Sequence, residues 1–394
     1  MASGRAMRLQ AEFLQFLTGH QERMAEELRE LVELESPSTD KAAVDRFARR
    51  LAEKLSELGL EPEVIPVRER GDQVRVVLGE GEGQILVLCH MDTVWPVGEV
   101  ARRPVRVDGG KLYGPGAYDM KAGIVQTLWA LRALRELGRW PGTEGGDRLW
   151  SQKRAVFLYT SDEEIGSPSS RPLIEEEARR SRAALVLEPA GRNGGVKLWR
   201  KGVAGFRVRV EGRAAHAGAD PERGVSAVHE LCRQVLDICA LANPAAGTTV
   251  NVGVIRGGSR PNVVAAEAEA EVDFRAATSA EMDRIVAAMS ALRPHVEGAV
   301  LRVTGGVNRP PMEPTAASEQ LYRLARDLAL SLGFDLPAEG TGGASDGNFT
   351  AHLGVPTLDG LGAVGNGGHS PDEYVVLDEL PRRTALLVRL LESI

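Results

Sequence analysis

The chain has only three cysteines in 394 residues (Cys89, Cys232 and Cys239), an odd number with no CxxC pair among them. This spacing suits neither a disulfide framework nor a thiolate metal site, and it reads as three buried thiols in a reducing compartment. Basic runs are also missing. The net charge is -7, and Lys and Arg stand singly among acidic residues. Composition therefore offers no electrostatic reason for a nucleic-acid or anionic-membrane partner. No apolar stretch is long enough to span a bilayer. The N-terminal MASGRAMRLQAEFLQFLTGH lacks an unbroken apolar core followed by a small-residue cleavage site, so no signal peptide is expected. Repeats and low-complexity tracts are absent. A cytoplasmic protein is the expectation.

What is present is an ordinary globular composition, 43% hydrophobic and 26% charged. A chain of this length is too long for one comfortable core and predicts two domains. Amphipathic helices come first, with Met24, Leu28, Leu31 and Leu34 in one and Val44, Phe47, Leu51, Leu55 and Leu58 in the next. Three continuous apolar runs follow, Ile85 to Cys89, Ala155 to Tyr159 and Ala183 to Leu187, as suits a mostly parallel sheet covered on both faces. A helix from Ala122 to Leu137 leads into a Gly-rich stretch, PGTEGGDRLWSQK, which reads as a mobile loop. From Gly202 the texture changes to alternating strands and helices in the order strand-helix-strand-strand-helix-strand, the split βαβ sandwich. After Asn308 the first texture resumes. The predicted architecture is an α/β catalytic domain in two pieces, 1–202 and 309–394, with a ferredoxin-like α+β satellite domain, 203–308, inserted between them.

The side chains able to bind metal fall where the apolar runs end. ILVLC leads to His90 and Asp92, AVFLYTS to Asp162, Glu163 and Glu164, and ALVL to Glu188; VPTLDGLG leads shortly to His369. In open α/β sheets ligands collect at the carboxyl ends of strands, so these residues can converge. Asp119 lies in the glycine-rich YGPGAYDMKAG, at a helix entry. Taken singly, each motif has a bland reading as turn, cap or surface loop. Their conjunction in one chain favours two imidazoles and three carboxylates (His90, Asp119, Glu164, Glu188, His369) around a pair of divalent ions. Such ions acidify a water and polarise a carbonyl, while a separate carboxylate must move the proton. Neighbouring Glu163 and Glu164 point differently, so one can ligate while the other acts as base.

The motifs HMDTV, YGPGAYDMKAG, TSDEEIGS, LEP and GGHSPDEYV resemble the dinuclear zinc aminoacylase and carboxypeptidase family over nearly the whole chain. Within that family the chain looks most like the glutamate carboxypeptidase G branch. The resemblance implies two Zn2+ ions per subunit, one held by His90 and Glu188, the other by Glu164 and His369, with Asp119 bridging. It assigns Glu163 as general base, and Asp92 as the carboxylate that orients the first histidine. It makes the insert a dimerisation domain and gives His216, in GRAAHAG, contact with a reacting carbonyl, in its own subunit or its partner's. The residues alone read His216 as a loop histidine.

For substrate, the resemblance points to Asn262, Arg275 and Arg309, with Lys197, as the polar groups that bind a free carboxylate. Arg275 and Arg309 read equally well as surface charges or as ties at a domain hinge. TGGASDGNF matches a glycine-rich loop whose amides face the substrate's end. Ala122 replaces a glycine common in relatives, several relatives are exported, and the 141–153 loop is a further departure; no ligand is lost. The expectation is a homodimeric zinc hydrolase that cleaves an amide next to a free amino-acid carboxylate, glutamate in its sharpest form. The alternatives are an N-acyl-amino-acid deacylase or dipeptidase, and a non-catalytic binding protein on the same fold, which intact ligands and base argue against.

Overall fold

The run ILVLC forms the middle of a sheet, as a segment with no polar face must. The structure is a computed structural model that describes residues 12–394; the stretch read for a leader begins outside them. Two compact units are present. One extends to Trp199 and takes in Pro314–Thr341 and Ser345–Ile394; the other is Arg200–Glu313 with Gly342–Ala344.

The first unit opens with β1 (Glu63–Ile65), β2 (Gln73–Leu78), β3 (Gly83–His90), β4 (Lys153–Thr160) and β5 (Ser181–Val186). Strand β3 pairs in parallel with β4 and β5, while β2 runs antiparallel to β4 and β1 to β2. Ile85, Val87 and Cys89 enter one core, and Leu86 and Leu88 enter another with Ile174, Ala178 and Phe349. Both faces of the strand are dry, which is why its sequence does not alternate. Helix α1 (Lys41–Glu57) starts at Asp40, whose carboxylate accepts the Ala43 amide at 3.0 Å. Helix α2 (Ala122–Glu136) is buried nearly all round and lacks a polar face.

Two expectations need correction here. The Gly-rich stretch after α2 is not a loose loop: it contains α3 (Glu144–Trp150), capped by the Thr143 hydroxyl. The Trp150 ring is 2% exposed, and its Nε1 donates to the Arg139 carbonyl at 2.7 Å. A Cβ on Gly146 would meet the Trp140 carbonyl oxygen at 1.7 Å, so this glycine serves close packing rather than flexibility. Nor are all three thiols buried. Cys89 is, but Cys232 and Cys239 are exposed because their spacing puts both on the outer side of one helix.

That helix belongs to the second unit, where β6 (Gly202–Glu211), α4 (Ala227–Cys239), β7 (Thr249–Gly257), β8 (Glu267–Ala276), α5 (Ser279–Ala291) and β9 (Val300–Arg309) follow in turn. Its four-stranded antiparallel sheet has the order β7-β8-β6-β9, the split βαβ arrangement. Ala204, Phe206, Val208 and Val210 pack on one face, while Arg207 and Arg209 on the other pair with Glu271 and Glu267.

The chain then returns to the first unit. The two-residue strand Thr357–Leu358 pairs in parallel with β5, completing a six-stranded sheet, and α6 (Leu380–Ser393) ends the fold. Among the described residues, no helix is long and apolar enough to cross a membrane.

Candidate metal centre

The parallel strands deliver their ends to one place. His90 is the last residue of β3, Glu163 and Glu164 form a short 3-10 turn after β4, and Glu188 follows β5 by two residues. Asp119 is carried by the irregular turn before α2, and its peptide bond to Met120 is cis. His369 has φ 61°, a left-handed conformation uncommon for a residue with a Cβ.

All five side chains converge within the first unit. His90 Nε2 lies 3.1 Å from Asp119 Oδ1 and 3.4 Å from Glu188 Oε1. On the other side His369 Nε2 lies 3.5 Å from Asp119 Oδ2 and 3.0 Å from Glu164 Oε2. Two ligand triads result, His90–Asp119–Glu188 and Asp119–Glu164–His369, each with its donor atoms within 4.8 Å of one another and with Asp119 common to both. In the first, His90 and Glu188 are buried and Asp119 is half-buried, whereas the His369 side chain is 53% exposed, so the pair opens to solvent at that end.

Proton affinities show the charge demand of the cluster. Burial opposes charge on His90, yet its bonds to Asp119, Asp92 and Glu188 raise its pKa well above the usual value. Asp119 and Glu164 push His369 up to about 11. Glu164 itself is raised, by burial first and then by the negative charge of Asp119. Three carboxylates crowded in a poorly solvated site thus draw protons onto their neighbours. Divalent cations would meet the same demand, and the mix of imidazole and carboxylate donors suits them.

Asp92 is fully buried, and its contacts extend beyond the histidine it was expected to orient. His90 Nδ1 donates to the Asp92 main-chain carbonyl at 2.9 Å, with the carboxylate farther away at 3.5 Å. The carboxylate also accepts the Ser38 hydroxyl at 2.6 Å and the amides of Glu163 and Glu164, each at 3.1 Å. It therefore braces the turn that carries the base candidate as well as the histidine. Glu163 is 8% exposed. In TGGASDGNF, the Ser345 and Gly347 amides are taken up locally, and Asp346 accepts the hydroxyls of Thr160 and Ser167. This part of the loop braces the end of β4 rather than offering amides to a ligand.

His216, Asn262, Arg275 and Arg309 belong to the second unit. The Ala217 amide donates to the Asn262 carbonyl at 3.0 Å, which sets the His216 and Asn262 loops side by side. The amides of Gly218 and Ala219 donate to His216 Nδ1 at 3.2 and 3.0 Å, which leaves the ring proton on Nε2. Arg275 and Arg309 flank Val203 from the two sides of β6, with Arg275 paired to Asp273 at 2.8 Å. Lys197 lies in the first unit, its amide donating to the Asp359 carbonyl at 2.7 Å.

Sequence reading missed the residues that hold the ligands in place. Arg383, fully buried on α6, donates to the carbonyls of Gly362 and Gly194 at 3.0 and 2.9 Å, and the Gly362 amide in turn donates to the Glu188 carbonyl at 2.9 Å. Burial lowers the pKa of its guanidinium to about 10. Glu373, inside the quoted GGHSPDEYV, is 1% exposed and bonded to the Asp119 turn.

Comparison with known proteins agrees with this geometry. Residues 86–393 match the model of Peptidase family M20/M25/M40. Carboxypeptidase G2 of a Pseudomonas species is 31% identical over 394 aligned positions, covering 96% of this chain and 90% of that protein. Acetylornithine deacetylase of Shigella sonnei is 28% identical, with 88% and 91% covered. Among solved structures, the aminopeptidase PepT of Bacillus cereus superposes with a TM-score of 0.75 at 24% identity, covering 94% of this chain and 98% of that one. A metallo-carboxypeptidase of Sulfolobus solfataricus gives 0.71 at 16% identity, with 94% and 98% covered. The likeness to these two structures concerns the fold. This chain is a member of peptidase family M20/M25/M40 and, with it, a metallo-hydrolase.

Proposed function

We propose that the chain is a dinuclear zinc amidohydrolase that cleaves the amide bond to a C-terminal amino acid with a free carboxylate, and that glutamate is the residue released. The observation that carries the chemistry is the pair of ligand triads sharing Asp119, with Glu163 held beside them on the Asp92-braced turn. Two divalent ions bound there supply Lewis acidity for the scissile carbonyl and the attacking water. Glu163 accepts the proton of that water and delivers it to the leaving amine. His90, Asp119, Glu164, Glu188 and His369 would hold the ions. His216, with its proton on Nε2, is the donor to the developing oxyanion, in its own subunit or a partner's.

The substrate assignment is supported by the likeness to Carboxypeptidase G2; Arg275, whose fork is held by Asp273 here, would exchange that partner to take the free carboxylate together with Arg309, Asn262 and Lys197. The likeness to acetylornithine deacetylase favours a second reading, a deacylase for N-acyl amino acids. Turnover of N-acyl glutamate, N-acyl leucine and N-acetylornithine decides between them. Glutamate should lead, and equal or faster turnover of the other two would sink the first reading. Glu163→Ala should keep its zinc and lose nearly all turnover; normal activity would refute the role given to Glu163.

We also propose a cytoplasmic homodimer with a small-molecule or peptide substrate and no nucleic-acid or membrane partner. Three free cysteines, two of them exposed, support the reducing compartment.

A further inference from the structure

Glu373 lies four residues after His369, yet its side chain is spent on another loop. Its Oε1 accepts the amides of Tyr118 and Asp119 at 2.9 and 3.0 Å. Its Oε2 accepts the Gly116 amide at 2.8 Å and the Trp95 indole at 3.0 Å. A carboxylate offers about four acceptor sites, and all are used here. The main chain adds another tie, because the Gly114 amide donates to the Glu373 carbonyl at 3.3 Å. Immediately beyond, Tyr374–Val376 pairs with Lys111–Tyr113, so the ladder fixes the roots of both loops and Glu373 fixes their tips.

Three pieces of the centre meet at this one side chain. The Asp119 turn carries the shared ligand, the Glu373 loop carries His369, and Trp95 follows Asp92 by three residues. Arg103 reinforces the junction: its guanidinium covers the Trp95 ring at 4.0 Å and donates to the Pro371 carbonyl at 2.9 Å. Gly116 has φ 71°, and a Cβ there would meet Thr93 Cγ2 at 2.5 Å, so the turn has little freedom to re-form elsewhere. His369 reaches Asp119 from a left-handed backbone conformation that the surrounding loop must impose.

We infer that Glu373 is a positioning residue that sets the distance between Asp119 and His369, and so decides whether the second triad can hold an ion beside the first. It touches neither substrate nor metal. The inference rests on the dinuclear reading of the site. Glutamine at this position has nearly the same shape, but its NH2 group would face two N–H donors and lose their bonds.

The experiment titrates metal-free protein with Co2+, followed by calorimetry and visible absorption, alongside urea unfolding of the same samples. Wild type should take two equivalents. Glu373→Gln should take the first with near-native affinity and bind the second roughly 10–100-fold more weakly, the usual cost of losing an outer partner of a ligand. If Glu373→Gln does not fold, Glu373→Asp, which keeps the charge but falls short of the amides, should show the same selective loss. Two equivalents bound with wild-type affinity by the variant, whatever its stability, would overturn the inference. A wild type that binds fewer than two equivalents would overturn the dinuclear reading itself, and this inference with it.

Discussion

At the scale of single residues, the centre consists of side chains able to bind a metal and side chains that position them, and only the first kind announces itself in sequence. His90, Asp119, Glu164, Glu188 and His369 were legible because metal-competent side chains recur in one chain near successive strand ends and a helix entry, although each alone has a bland reading. Asp92 was legible as a position but not in its full role, since accepting the amides of Glu163 and Glu164 leaves no mark on residue type. Glu373 and Arg383 were silent for the same reason: their partners are main-chain groups. Lys121 is a further case, fully buried two residues from Asp119, with its Nζ donating to the Leu34 carbonyl at 2.7 Å. Burial lowers its pKa to about 7, against the opposing pull of Glu373 and Glu35. Between that value and about 10.4, the unfolded lysine holds a proton that the folded one has lost, so stability rises with pH across this window. Lys121→Met should remove that rise. Urea unfolding of the metal-free proteins from pH 6 to 10 checks it: wild type should gain on the variant by up to roughly 1.4 kcal/mol per pH unit. Parallel curves would show that Lys121 does not titrate there.

At the scale of elements, the sequence speaks clearly where one physical demand dominates. Strands β3, β4 and β5 were recognisable because both of their faces are buried, and the second unit's strands because only one is. Strand β2 was missed: QVRVVL breaks its apolar run with Arg75, which reaches out to pair with Glu177. Helix α3 was misread because glycine normally signals a turn, whereas here Gly146 lets the helix press against Trp140. The correction makes a quantitative claim. If Trp150 is an anchor, Trp150→Ala should cost about 3–5 kcal/mol in urea unfolding, the range for losing a buried aromatic. A cost near zero would restore the mobile loop that composition suggests.

At the scale of the whole molecule, the second unit exposes several large apolar side chains. Leu236 on α4 is 72% exposed and stands between Cys232 and Cys239, while Ile255 on β7 is 58% exposed. Strand β7 is also the edge of its sheet, with β8 on one side and no strand on the other among the described residues. An edge strand presents unpaired amides and carbonyls at the pleat spacing, and a second copy of the same strand is the simplest group to satisfy them. Apolar side chains on the neighbouring helix would then be covered by their own counterparts across a two-fold axis. The expected state is a dimer formed through α4 and β7, with both metal centres outside the interface-forming elements. Leu236→Asp, which buries a charge at the centre of such an interface, should shift sedimentation equilibrium from dimer to monomer at micromolar concentration. It should leave zinc content unchanged, because none of the five proposed ligands lies in the second unit. A wild type that sediments as a monomer at those concentrations would remove the dimer. A monomeric Leu236→Asp variant that retains full turnover would rule out a contribution of His216 from the partner subunit, whereas loss of turnover with zinc intact would support one.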